Sequence, residues 1–167
     1  MVLRADLSHV SREPILRWWR SGSDELATAT MSWAESGLVV RRVRGSRMRS
    51  LDGLFDEFSA AFQFPSYFGY NRDAFNECIR DLVEWLPTVA GFVIVLDEYD
   101  EVLDTEPLER PWFFDALELA RAALAEPVAD QEWWDRSPLA FHVVGKSGQD
   151  SDGPVWLPSP WSVAEIL

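Results

Sequence analysis

Residues 91–96, Gly-Phe-Val-Ile-Val-Leu, are apolar throughout, with neither the alternation of a half-exposed strand nor the spacing of a surface helix. The run is too short to be a packed helix and far short of the roughly 20 residues that cross a bilayer. It fits a strand buried on both faces, the environment found in helix-covered parallel sheets. Parallel neighbours cannot be joined by hairpins, so helices are expected between this strand and its partners.

The flanking sequence supplies them. Residues 37–45, GLVVRRVRG, are β-branched and bounded by glycines, with Val39 and Val43 alternating with Arg42 and Arg44, which predicts a strand. Leu51, Leu54, Phe55, Phe58, Ala61 and Phe62 recur at helical spacing after Ser50, with Asp56 and Glu57 on the other face; Pro65 closes that helix. Asn71 is a favourable N-cap for a second helix, expected to run to about Trp85 before Pro87. Beyond the central run, Trp112, Phe113, Leu117, Ala120 and Leu124 mark a helix over residues 111–124, and residues 139–144 a third strand.

The order β-α-α-β-α-β implies right-handed crossovers. The expected fold class is α/β, a small parallel three-stranded sheet covered by helices, over residues 37–146. Residues 1–36 read as an N-terminal extension, with a short helix from Ser11 or Pro14 through Trp19, stopped near Ser21, Gly22 and Ser23. Trp18, Trp19 and Trp33 are costly to expose and are expected to pack on the main domain, a partner-binding helix being the alternative. Residues 147–167, with Pro154, Pro158 and Pro160, read as an irregular C-terminal tail before a last turn at 163–167.

Length and composition narrow the function. A chain of 167 residues, 47% apolar and 26% charged, has material for one sizeable core. Its formal net charge of -13 repels a phosphate backbone, which disfavours direct nucleic-acid binding and favours a basic partner. A single cysteine, Cys78, and two histidines, His9 and His142, exclude an internal disulfide and a structural zinc cage, and no metal or cofactor is expected. Arg4 and Asp6 stand where a signal peptide needs an apolar block, so a cytoplasmic protein without membrane attachment is expected. Charge is also uneven: nine basic against five acidic residues up to Ser50, then six basic against 23 acidic.

The densest functional signal lies over residues 64–82. The helix opened by Asn71 has two unlike faces, with Phe75, Cys78, Ile79, Leu82 and Trp85 on a core stripe and Asp73, Glu77, Asp81 and Glu84 opposite. Like charges at i,i+4 destabilise an isolated helix by about 0.2 to 0.5 kcal/mol per pair, and only Asp73, in the first turn, is compensated by the macrodipole. A face selected for stability alone would mix signs. Beside it, Tyr67, Phe68, Gly69 and Tyr70 set aromatic side chains next to carboxylates, with Gly69 available for a turn of positive φ. Aromatic anchors with an acidic row suit a protein interface.

The pattern Pro65, Tyr67, Phe68, Gly69, Asn71, Asp73, Ala74, Phe75, Glu77, Cys78, Ile79 resembles the barstar family, intracellular inhibitors of secreted microbial ribonucleases. The resemblance extends more loosely over residues 39–144 and leaves out the N-terminal 36 residues and the tail. It implies a non-enzymatic inhibitor that lays this loop and helix into the active site of a guanyl-preferring ribonuclease, one to one, with carboxylates standing in for substrate phosphates. The partner-binding set it implies is Tyr67, Phe68, Gly69, Asn71, Asp73, Asn76, Glu77 and Asp81. By position, Tyr67 would pack on the enzyme's catalytic histidine, Asp73 would meet basic residues beside the active site, and Glu77 would occupy the phosphate-binding centre. Glu77 stands where the family usually has Asp, and Asn76 where an aromatic is common.

Other groups support weaker readings. Asp97, Glu98, Asp100, Glu101 and Asp104 invite calcium, but the loop lacks the central Gly and bidentate Glu of an EF-hand and reads as an exposed loop or a rim of the interface. Asp97 and Glu98 at a strand's carboxyl end allow a small acidic hydrolase, and the Arg-rich first strand with the Trp-rich extension allows an adaptor. No phosphate-cradling glycine loop or nucleophile elbow is present; Lys146, the only lysine, has the neighbours of a turn, and His142 reads as a satisfied buried imidazole.

Overall fold

The computed structural model describes residues 5–149 and 151–166. Part of the N-terminal stretch weighed as a leader, and Leu167 of the expected last turn, lie outside them.

The central run is strand β3, Gly91–Asp97, and all seven of its residues are buried. It lies between β2, Leu38–Arg44, and β4, Ala140–Gly145, in parallel register, with Leu38 opposite Gly91 and Phe92 opposite Phe141. Gly91 is required at the strand's entry: its φ is +137°, and a Cβ there would lie 2.0 Å from the Ala140 carbonyl oxygen.

The class is α/β, as expected, but the sheet has five strands rather than three, in the order β2-β3-β4-β1-β5 and parallel throughout. The expected N-terminal helix is instead strand β1, Ile15–Trp19, and the expected last turn is strand β5, Ser162–Ile166, paired with β1 from Ile15 opposite Ser162 to Trp19 opposite Ile166. The strand in Ile-Leu-Arg-Trp-Trp is hidden because both faces of an interior strand are buried, so the polar half of the alternation is missing. Leu16 and Trp18 enter one core and Trp19 the other. The three tryptophans of this region, Trp18, Trp19 and Trp33, are buried as expected.

Helix α1, Ser23–Glu35, follows β1, and its Leu26, Ala29 and Trp33 pack with Val93, Val95, Ala140 and Val144 on one face of the sheet. Helices α2, Leu51–Ala61, α3, Arg72–Arg80, and α4, Arg110–Ala125, cover the other face. There Phe58, Phe75, Phe113 and Leu117 meet Phe92, Ile94, Leu96 and Phe141. The division follows from crossover handedness. The β1-to-β2 connection runs across the sheet opposite to β2-β3-β4, so a right-handed crossover must place α1 on the opposite face.

Edge strand β2 carries the arginines weighed as an adaptor surface. Arg42 is bound to Asp97, and Arg44 forms a 2.8 Å ion pair with Glu57 of α2, so two of them tie the edge to its neighbours. Charge along an edge strand also discourages further strand pairing.

Candidate functional site

The loop between α2 and α3 and the first turns of α3 form the surface singled out by sequence. Asn71 caps α3, its Oδ1 accepting the Ala74 N–H at 2.9 Å and its Nδ2 donating to the Gly69 carbonyl at 3.3 Å. Gly69 was expected to supply a positive φ. That conformation belongs instead to Tyr70, at φ +51°, while a Cβ on Gly69 would stand 3.0 Å from Asn71 Nδ2. Gly69 therefore gives room to the capping amide, a steric role that a turn rule does not reveal.

The aromatic side chains of the loop divide by burial. Phe68 turns inward, 6% exposed, against Phe55 and Phe64, and so supports the loop from below. Tyr67 is 73% exposed and Tyr70 55% exposed. Tyr70, its ring 4.7 Å from that of Phe68, is an outward aromatic absent from the sequence-derived set; its left-handed backbone turns it to solvent. The Tyr67 phenol is pushed above its ordinary value, first by partial desolvation and then by Cys78, Glu84, Asp81 and Glu77. It therefore remains a protonated hydrogen-bond donor beside those carboxylates.

Helix α3 presents Asp73 and Glu77 to solvent, and neither forms an ion pair among the described residues. Neighbouring charges are taken up elsewhere: Arg72 reaches Glu109 at 3.1 Å and Arg80 binds Asp81 at 2.9 Å. The helix was expected to continue to Trp85. It stops at Arg80, with Asp81 as its C-cap and a 3-10 turn over Leu82–Glu84. The break lets the Trp85 indole donate to the Phe62 carbonyl at 2.9 Å, a contact that phases this residue away from a continuous helix. The carboxylate of Asp81, partly buried and held by Arg80, thus stands apart from the exposed pair Asp73 and Glu77. Asn76 is half-buried, and its Oδ1 is enclosed without a hydrogen-bond partner. Cys78 and Phe75 lie in the core beneath. Burial, Asp81 and Glu77 hold the Cys78 thiol above its ordinary value, a setting for an inert cysteine.

The acidic loop after β3 has structural duties. Asp97 is buried, bound to Arg42, and accepts the Glu98 N–H at 3.1 Å. Asp100 accepts from Ser147 Oγ and the Gly148 N–H, and Asp104 binds Arg49 at 2.8 Å. Glu98 accepts the Ser46 N–H at 3.2 Å, so Asp97, Glu98, Asp100 and Asp104 each answer a partner of their own, and the described residues contain no group of three or more His, Cys, Asp or Glu placed to hold a metal ion. His142 is buried and bonded as expected, its Nε2 2.9 Å from the His9 carbonyl and its Nδ1 accepting from Arg17 Nε at 3.2 Å. No helix among the described residues is long and apolar enough to cross a membrane.

What the surface offers is thus a capped helix end carrying two carboxylates without an ion pair among the described residues, beside two outward tyrosines. A family model described as "Barstar (barnase inhibitor)" matches residues 38–144, from β2 through β4, and includes this whole surface. No curated protein matches the chain.

Proposed function

The chain belongs to the barstar family, and on that premise we propose that it inhibits a secreted, guanyl-preferring ribonuclease by filling the active site with the Tyr67 loop and the first turns of α3. The observation that carries the reading is the convergence of exposed Tyr67 with Asp73 and Glu77, carboxylates that form no ion pair among the described residues. Such an enzyme presents a cationic cleft shaped for phosphates. Two carboxylates fixed on a helix can occupy it without offering a scissile bond, and desolvation at the interface strengthens each charge pair.

Tyr67 would pack on the enzyme's catalytic histidine, Asp73 would meet the basic residues at the rim, and Glu77 would enter the phosphate-binding centre. Tyr70 widens the aromatic contact. Asn71 and Phe68 serve this surface from within, one by capping α3 and the other by supporting the loop. Acting inside the producing cell, the inhibitor would neutralise enzyme that has not been exported.

The test is a titration of secreted guanyl-specific ribonucleases with the protein while RNA cleavage is followed. Complete loss of cleavage at one equivalent is expected for the cognate enzyme, because an occupied active site cannot admit RNA. Cleavage that persists at a large excess of protein against every enzyme of the panel would overturn the reading.

A further inference from the structure

We propose that the crevice at the carboxyl ends of β1 and β4 binds the phosphoryl group of a small anionic ligand. The two strands are neighbours, with Leu16 opposite Val143 and Trp18 opposite Gly145, yet the chain leaves them toward opposite faces of the sheet. After β1 it passes into α1 on one face; after β4 it passes to Trp156, Leu157 and Trp161, which pack on the other core. Where adjacent connections diverge in an open parallel sheet, a crevice forms beyond the strands' carboxyl ends, and ligands of α/β proteins bind at such points. Here the crevice encloses ≈ 330 Å³ between Arg20 and Ser21 on one side and Lys146, Gln149 and Asp152 on the other.

Its chemistry selects an anion. Lys146 is the only lysine of a chain whose net charge is -13. It is half-buried, forms no ion pair among the described residues, and its Nζ donates only to the Ser147 carbonyl, at 3.3 Å. Its backbone is held in place, since Asp100 accepts from Ser147 Oγ at 3.0 Å and from the Gly148 N–H at 2.9 Å, and the Gln149 N–H donates to Ser147 Oγ. Across the crevice, Arg20 divides its guanidinium between Glu165 and Asp152. The Asp152 side chain is 96% exposed, so an incoming dianion can displace it from Arg20 at small cost. The first turn of α1 carries its own carboxylates, Asp24 and Glu25, so the recognition rests on the two cationic side chains rather than on the helix end.

The Lys146 ammonium and the Arg20 guanidinium, facing each other across the crevice, match a phosphate dianion. Trp19, the one aromatic residue of the lining, is buried and offers no face on which a nucleobase could stack, so the phosphoryl group is the recognised element. Arg20, Lys146 and Asp152 all lie outside residues 38–144, which makes the crevice a property of this chain beyond its family domain. None of its residues belongs to the Tyr67 and α3 surface.

The test is an amide chemical-shift titration of the full chain with sodium phosphate, against sodium chloride at matched ionic strength, repeated with AMP and GMP. Saturable shifts at Arg20, Ser21, Gly22 and at Lys146 through Gln149 are expected with phosphate and not with chloride. Lys146→Ala should weaken phosphate binding about tenfold or more, the scale of losing one charged hydrogen-bond partner. Asp152→Asn should tighten it severalfold by releasing Arg20, a gain that a misfolded variant would not show. A mononucleotide bound no tighter than inorganic phosphate assigns the site to the phosphoryl group alone, and one bound much more tightly assigns it to nucleotides. Equal shifts with chloride, or unchanged phosphate binding in Lys146→Ala together with Asp152→Asn, would overturn the proposal.

Discussion

Asn71 accepts the backbone N–H of Ala74 at 2.9 Å, so the residue that ends the aromatic loop also fixes the first turn of the acidic helix. Loop and helix are in this way one unit. Asn71→Ala should lower stability by about 1 kcal/mol, the usual worth of an N-cap, and should weaken inhibition as the helix end frays. Asn71→Asp, which keeps an acceptor at the cap, should restore stability; paired denaturant melts and inhibition titrations would show it.

Glu77 separates binding from stability. It is exposed, lacks an ion-pair partner among the described residues, and stands four residues after Asp73. Glu77→Ala should raise stability by about 0.2 to 0.5 kcal/mol through relief of one like-charge pair. Binding to the ribonuclease should fall by about 2 to 5 kcal/mol, a scale for desolvated charge pairs taken in part from a complex of this same family rather than derived from this chain. Inhibition left intact in Glu77→Ala would remove this residue from the site.

Tyr67 and Phe68 are adjacent in the chain and opposite in role. Tyr67→Ala, at an exposed position, should shift stability by no more than about 0.5 kcal/mol and weaken inhibition at least tenfold, as for an aromatic interface anchor. Phe68→Ala should instead cost about 3 to 5 kcal/mol of stability through the cavity left against Phe55 and Phe64. Equal stability losses in the two variants would contradict the division of the loop.

His142 makes stability depend on pH. Burial, then the charge of Arg17, depresses its folded value to about 4 from the ordinary 6.5. The unfolded chain therefore takes up a proton first as pH falls. This contribution to stability is intact above pH 6.5 and is lost as pH drops through the window from 6.5 to about 4, the loss reaching about 2 kcal/mol at pH 5. Denaturant melts at pH 7 and pH 5 should differ by about this much, and His142→Gln should flatten the difference.

Association should be steered electrostatically. An acidic face approaching a basic cleft should bind fast at low ionic strength and progressively more slowly as salt is added, with dissociation much less affected. Stopped-flow measurements over a salt series would check this, and a salt-independent association rate would contradict it.

The sequence alone determined the elements whose burial is one-sided or complete and uninterrupted. The Phe92 to Leu96 run announced a strand buried on both faces, Ser50 and Asn71 announced helix starts that the structure confirms as caps, and the Phe75, Cys78, Ile79 stripe divided core from surface on α3. In each case the signal is local, because a periodicity or a cap is written within a few neighbouring residues. Tertiary structure alone decided the rest. Ile15–Trp19 is a strand because β4 and β5 receive it on either side, and five mixed residues do not encode partners more than a hundred positions away. Which aromatic of the loop faces outward was likewise set by where Phe55 and Phe64 left room for Phe68, and Asp81 leaves the acidic row because the helix ends where Trp85 must reach Phe62. The crevice beyond β1 and β4 exists only because crossover handedness sends two neighbouring connections to opposite faces, a consequence of strand order that no single segment carries.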